Sequence, residues 1–327
     1  MKLSVSMIVK NEEVMLPACL ESVKGADEIV IVDTGSTDKT IAIARQFTDN
    51  VYTFTDCNDE NGLMANFSMA RNYSLSKCTG DWIMMIDGDE FMKSSISDVR
   101  KEIKKAGKKF FMTADIEIWN TLNGEMTDKA FDQKGVRFFR RDERIKYERA
   151  IHNTLTFDGS QVEPRKMSHD SGIKILSGYS PAHNNDPERT FRILKRELEE
   201  DPTSTRAMYY LATEYLYKKN DQDKALDLLM RYFHVAYVQQ WAKKPAHEIL
   251  TNELADACYL MATIYVNKED WHRAMSCAIS AATTWYSFKA PYVMISKLYE
   301  IAGMIEPAKF YAEVAKKADN KGVLFAR

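Results

Sequence analysis

Residues 3–38 read LSVSMIVKNEEVMLPACLESVKGADEIVIVDTGSTD, and the rhythm of this stretch decides the fold. Leu3–Val9 and Glu28–Val32 are short β-branched runs of the kind that become strands buried on both faces. Between them, Asn11–Val23 places Val14, Leu16, Leu20 and Val23 at helical spacing. A second helix, Asp38–Phe47, follows the cap signal Ser36-Thr37-Asp38. Further along, Val51–Phe54 and Trp82–Ile86 are strand-like, with a helical Ala65–Ser76 between them. Strand and helix alternating in this way predict a parallel sheet covered on both faces. Lys109–Ile118, Gly135–Arg140 and Thr154–Phe157 then follow without regular helices, which predicts an antiparallel addition.

From Asp186 onward the strand signal stops and a repeat takes over. Leu211-Ala212 with Tyr215 and Ala225, Met261-Ala262 with Tyr265 and Ala274, and Ile295-Ser296 with Tyr299 and Ala308 share one template. Ala262 and Ser296 stand 34 residues apart, as do Ala274 and Ala308. That is the tetratricopeptide period, with small residues where two antiparallel helices approach closely. Ala212 precedes Ala262 by 50 residues, so about 16 residues are inserted around Tyr237–Ile249. The expected organisation is an α/β domain over 1–185 and an all-α repeat domain over 186–327. Tyr209, Tyr210, Tyr215, Tyr217, Trp271 and Trp285 fall at repeat-core spacing, whereas Trp241 lies in the insertion.

Composition agrees with two cores. The chain has 327 residues, 45% hydrophobic and 28% charged, with a net charge of −2. This excludes a disordered or fibrous chain and one held to nucleic acid by bulk charge. No apolar run approaches the ~18 residues of a membrane helix. The N-terminal MKLSVSMIVKNEE turns polar too soon for a signal peptide. Five scattered cysteines without CxxC spacing point to a reducing cytoplasm rather than a disulfide framework.

The polar residues that follow the strands carry the chemistry, because open α/β sheets bind ligands beyond the carboxyl ends of their strands. Those positions hold Lys10-Asn11-Glu12, then Asp33-Thr34-Gly35-Ser36-Thr37-Asp38, then Asp87-Gly88-Asp89-Glu90. A carboxylate at such an end can take a ribose hydroxyl or a base edge. Two carboxylates one residue apart on a glycine turn suit a hard divalent cation that also takes phosphate oxygens. A basic run (Lys134, Arg137, Arg140, Arg141, Arg144, Lys146, Arg149) offers either a phosphate-binding face or an ordinary solvated one.

LSVSMIVKNEEVMLPACLESV, ADEIVIVDTGSTDKTIAIARQF and ARNYSLSKCTGDWIMMIDGDE, in this order, resemble the successive motifs of family-2 glycosyltransferases of the GT-A fold. The resemblance is close over residues 3–90. It continues loosely through RFFRR (137–141), IHN (151–153) and HDSG (169–172), as in the bacterial and phage branch that appends tetratricopeptide repeats. That branch includes peptide S-glycosyltransferases of the sublancin type. The resemblance implies inverting transfer of a sugar, glucose by default, from a UDP-sugar with Mg²⁺ or Mn²⁺ assistance. It implies that Val9, Lys10, Asn11, Glu12, Asp33, Ser36, Arg71, Asp87 and Gly88 hold the donor nucleotide. It further implies that Asp89, with Asp87, binds metal, and that His169 completes the metal shell unless it is an ordinary loop histidine.

The general base stays open among His152, Glu148, Asp170 and Glu90, since Asn153 stands where the related branch commonly has glutamate. A thiol acceptor would need a strong base less, being partly ionised already. Stacked helices build extended surfaces, which favours a macromolecular acceptor (peptide, nucleic-acid base or glycan) or homo-oligomerisation through the repeats. Two competing readings are a nucleotidyltransferase and a non-catalytic repeat scaffold. The first usually shows a glycine-rich basic loop where this chain has Val9-Lys10-Asn11-Glu12. Retention of Asp33, Arg71, Asp87 and Asp89 argues against the second.

Overall fold

The computed structural model describes residues 1–162, 167–241 and 251–320. It divides the chain into two compact units, Met1–Ile193 and Leu194–Arg327. The division falls inside a helix rather than after residue 185, because Arg192 binds back into the first unit. Its guanidinium pairs with Asp186 at 2.6 Å and with Asp59 at 3.5 Å, and it donates to the Met64 carbonyl.

In the first unit, β1 (Leu3–Val9) alternates large and small side chains as far as Met7, and this alternation sets what covers each face. Leu3, Val5, Met7 and Val9 point into one core with Leu16, Cys19, Leu20 and Val23 of α1 (Leu16–Val23). Ser4 and Ser6 point the other way, where α3 (Phe67–Lys77) approaches closely enough for Ser6 Oγ and Ser74 Oγ to bond at 2.8 Å. α1 begins at Leu16, with Pro17 in its first turn, rather than at Asn11. Asn11 is left-handed (φ 56°), and its side chain accepts from the Thr37 N–H at 2.7 Å, so it cannot open a helix.

β2 (Glu28–Asp33), α2 (Thr40–Ala44), β3 (Val51–Thr53) and β4 (Trp82–Met85) complete the parallel part. β1 pairs in parallel with both β2 and β4, and β2 with β3. β5 (Glu90–Met92), α4 (Ile96–Lys105), β6 (Phe111–Leu122), β7 (Glu125–Arg140) and β11 (Ser168–Ser177) extend the sheet. Its strand order is β3-β2-β1-β4-β7-β6-β11-β5, with β7 antiparallel to both β4 and β6. β6 and β7 form a long hairpin whose turn places Asn123 and Gly124 at φ 54° and 87°, the left-handed pair that two-residue hairpins require. β8 (Ile145–Glu148), β9 (Thr154–Phe157) and β10 (Ser160–Gln161) make a separate three-stranded sheet. A second core on the α3 face joins Val30, Ile83, Phe111, Phe139, Ile145 and Tyr147.

The second unit continues α5 (Arg189–Glu200) into helix pairs. α6 (Thr205–Tyr217) packs on α7 (Gln222–Trp241), α8 (Thr251–Asn267) on α9 (Trp271–Thr284), and α10 (Lys289–Ile301) on α11 (Ile305–Lys317). All six small template residues are buried: Ala212, Ala225, Ala262, Ala274, Ser296 and Ala308. Their size lets paired helices meet, as Ser296 shows by donating to the Ala308 carbonyl at 2.8 Å. α7 has 20 residues against 14 and 13 in α9 and α11, so part of the insertion extends that helix. The side chain of Trp241 and residues 242–250 of the insertion lie outside the described residues. Tyr209 is fully buried, but Tyr217 and Trp271 are 60% and 43% exposed, so repeat spacing overstated their burial. No helix among the described residues is long and apolar enough to cross a membrane.

Glu28 ties the start of the sheet together. Its carboxylate accepts from Ser4 Oγ, from the Thr79 N–H and hydroxyl at 2.7 Å each, and from Lys2 Nζ at 3.1 Å. Desolvation opposes ionisation there, but these hydrogen bonds win and hold the carboxyl down at about 2, against an ordinary 4.5. Gly80 beside it admits no side chain, since a Cβ would stand 2.7 Å from the Ser4 nitrogen. A lowered carboxyl stabilises the fold fully above its unfolded value and loses that contribution as pH falls through its folded value. Glu28→Gln should therefore lower stability near neutrality and flatten the loss of stability between about pH 4.5 and 2. Urea unfolding across that range checks both.

Candidate active site

The carboxyl ends of β1, β2 and β4 open onto a cavity of about 450 Å³. Val9, Lys10 and Glu12 line it after β1, Thr34 after β2, and Asp87, Gly88 and Asp89 after β4. Arg71 on α3, Ser177 at the end of β11 with Gly178 and Tyr179 after it, and Phe131 and Gln133 on the hairpin add further wall, with Arg189 at the start of α5.

The acidic turn is held from several sides. Gly88 lies so close to Glu12 and Val9 that a Cβ would meet Glu12 Cγ at 3.2 Å and Val9 Cγ1 at 3.3 Å. Arg71 Nη2 donates to both Asp87 oxygens, at 2.9 and 3.2 Å, while its Nε donates to Asn153 Oδ1 at 3.2 Å. The Tyr147 ring lies 5.5 Å from the Arg71 guanidinium, and burial pushes that phenol up to about 12. Glu90 is buried beneath the turn: Oε2 accepts the Asp87 N–H at 3.1 Å, and Oε1 accepts from Arg137 Nη2 at 2.6 Å. Burial, together with Asp87 and Asp89, pushes its carboxyl up to about 7 against the pull of Arg137. Gly178 N–H closes the other side by donating to the Asp89 carbonyl at 3.2 Å. The buried Cys19 thiol reaches the Asp87 carbonyl, and burial beside these carboxylates raises its pKa well above the ordinary value.

Other expected donor residues form the rim without lining the cavity. Asp33 is buried and accepts from the Gly35 and Ser36 N–H groups, and Ser36 Oγ accepts from the Asn11 N–H at 2.9 Å. These bonds lock the β1 and β2 loops to each other.

The candidate bases separate. Glu90 cannot reach a substrate, since both its oxygens are engaged in the interior. Glu148 is exposed on the small sheet, where it accepts from Thr156 Oγ1 at 3.3 Å. Asp170 is paired with Lys134 at 2.6 Å. His152 is exposed with a left-handed backbone (φ 49°), next to Asn153 and so one residue from the Arg71 contact.

His169 is not a metal ligand of this site. It pairs in register with Met112 at the start of β11, whereas the cavity lies at Ser177, at the strand's other end, about 20 Å away along the sheet. Its imidazole instead lies 2.9 Å from Glu102 on α4. The basic run is likewise largely structural. Arg137 pairs with Glu90, Arg144 with Asp142, and Lys134 with Asp115 and Asp170, while Arg140 and Arg141 donate to the Gly107 and Gly80 carbonyls.

The sequence matches the glycosyl transferase family 2 profile over residues 4–159. Residues 4–159 form a family-2 glycosyltransferase domain. It has the mixed-sheet, Rossmann-like GT-A architecture, and helical repeats follow it. The chain is 43% identical over 90 residues to a TPR repeat-containing protein of Synechococcus elongatus, covering 27% of this chain and 21% of that one. It is 25% identical over 241 residues to the SPbeta prophage-derived glycosyltransferase SunS of Bacillus subtilis, covering 69% of this chain and 51% of that one. Among solved structures it is similar to S. aureus TarS 1–349 in complex with UDP-GlcNAc, at 14% identity and a TM-score of 0.42, covering 97% and 92% of the two chains. The chain spans between a fifth and about half of the length of these two curated relatives.

Within the glycosyltransferase domain, the contact easiest to test is the buried Arg137–Glu90 pair. Removing one partner of such a pair leaves a buried charge uncompensated. Arg137→Met should cost about 3–5 kcal/mol of stability, read by urea denaturation. A loss under about 1 kcal/mol would show that the pair is not holding the turn.

Proposed function

We propose that the glycosyltransferase domain moves a hexose, glucose by default, from a UDP-sugar to an acceptor, inverting the anomeric carbon. The observation that carries this reading is the convergence of Lys10, Glu12, Arg71 and the Asp87-Gly88-Asp89 turn on one cavity at the strand ends of a family-2 domain. The nucleoside lies between the β1 and β2 loops, and Asp87, oriented by Arg71, meets the ribose side.

A divalent cation, Mg²⁺ or Mn²⁺, fits the donor set. Asp89 and Asp87 are hard oxygen donors one residue apart, and Asp89 lines the cavity. No group of three or more His, Cys, Asp or Glu forms a metal cluster among the described residues. The other positions then fall to donor phosphate oxygens and water, as is usual for Mg²⁺. Asp89 is the principal ligand, because Arg71 already engages both oxygens of Asp87. When bound, the ion neutralises charge on the departing diphosphate.

For the acceptor proton we propose His152, an exposed imidazole that stands beside the Asn153–Arg71 contact. The repeats would select a macromolecular acceptor (peptide, nucleic-acid base or glycan) or join copies of the chain, in a cytoplasmic setting.

Incubation with a panel of nucleotide-sugars tests the donor class: nucleotide release is expected from a UDP-sugar and not from the GDP or CMP series. Asp89→Ala should lower turnover by about 10²–10³-fold while the melting temperature stays near wild type. Activity that survives full chelation by EDTA would overturn the metal assignment.

A further inference from the structure

Among the described residues, four guanidinium groups belong to the cavity or its immediate supports, and three of them are committed to carboxylates. Arg71 holds Asp87, Arg137 holds Glu90, and Arg192 holds Asp186 and Asp59. Arg189 differs. It lines the cavity, and no carboxylate of the described residues pairs with it. Its guanidinium lies over the Phe67 ring, 5.2 Å from the centroid, and its Nε is buried without a hydrogen-bond acceptor. A buried donor on a charged group is costly to leave unsatisfied, so this one is built for a partner that arrives from solution.

The position of Arg189 indicates that partner. Phe67 and Arg71 are four residues apart on α3, so they are neighbours on one helix face. A guanidinium stacked on Phe67 therefore lies one helical turn from the Arg71–Asp87 pair, beside the acidic turn. Its planar fork matches pairs of phosphate oxygens, and stacking on an aromatic ring orients that fork in advance.

We propose that Arg189 grips the diphosphate of the nucleotide donor and stabilises it as a leaving group, in concert with the acidic turn. The assignment rests on the UDP-sugar reading above. As the bond from the anomeric carbon to the diphosphate oxygen breaks, its electron pair passes to that oxygen, and Arg189 donates hydrogen bonds to the resulting anion. No proton need be transferred from the arginine.

Calorimetric titration of UDP and of uridine into the full chain, with MgCl₂ present, tests this. Wild type should bind UDP, and Arg189→Met should weaken UDP about ten- to hundred-fold with uridine unchanged, the effect of losing a charge-assisted phosphate contact. Arg189→Lys keeps the charge but loses the fork, so it should fall between the two. Thermal melting verifies that each variant is folded. If wild type fails to bind UDP, the donor reading itself falls. If wild type binds UDP and Arg189→Met binds it equally well, this inference falls alone. Unchanged UDP affinity with a raised KM for a phosphate-bearing acceptor would move Arg189 to the acceptor and overturn the donor assignment. Equal weakening of UDP and uridine would mark a structural role and also overturn it.

Discussion

The candidate site depends on Arg137 reaching Glu90 across 47 residues of sequence. Glu90 holds the Asp87 N–H, so the pair sets the direction in which the acidic turn leaves β4. Arg137 is available there because β7 runs antiparallel to β4, with Phe138 and Phe139 opposite Met84 and Ile83. The late antiparallel strands thus position chemistry presented by the early parallel ones. Taking two charges out of water is expensive, and such a pair persists where the geometry it imposes is needed. Here that geometry fixes a two-carboxylate turn at the mouth of a cavity.

Charge around that turn is balanced group by group rather than by a general basic field. Asp87 has Arg71 and Glu90 has Arg137, while Lys10 donates to the Gly62 carbonyl across the mouth. A run of basic residues in sequence therefore says little about the field at the site, because most of those side chains are absorbed by local carboxylates and carbonyls. Arg189, distant in sequence from every acidic motif, faces the cavity instead.

Some features were legible because they are periodic and local. The short β-branched run Leu3–Val9 marks β1, and the 34-residue spacing places Ala262, Ala274, Ser296 and Ala308 where helices must touch. The β6–β7 hairpin was not read in the sequence analysis, although Asn123-Gly124 is a local turn signal, because a two-residue turn has no period. α1 was overextended because Val14 kept the helical spacing while Asn11, outside that pattern, had a tertiary hydrogen bond to make. Tyr217 and Trp271 show the same limit, since spacing assigns a face but not how much of that face a neighbour covers.

The sequence by itself determined which strands are buried, where the strand-end carboxylates stand and that a helical repeat follows, because each rests on interactions within a few residues or a fixed period. Only the tertiary structure decided which distant side chains meet them. His169 and Ser177 share one strand, yet strand length puts them at opposite ends of the sheet, so a histidine in a plausible motif pairs with Glu102 instead. Arg137 and Arg189 join the site through strand order and a helix start, and neither is encoded by any local pattern. Side-chain partnership is a property of the packed chain, where the cost of leaving a buried charge alone selects one neighbour from many.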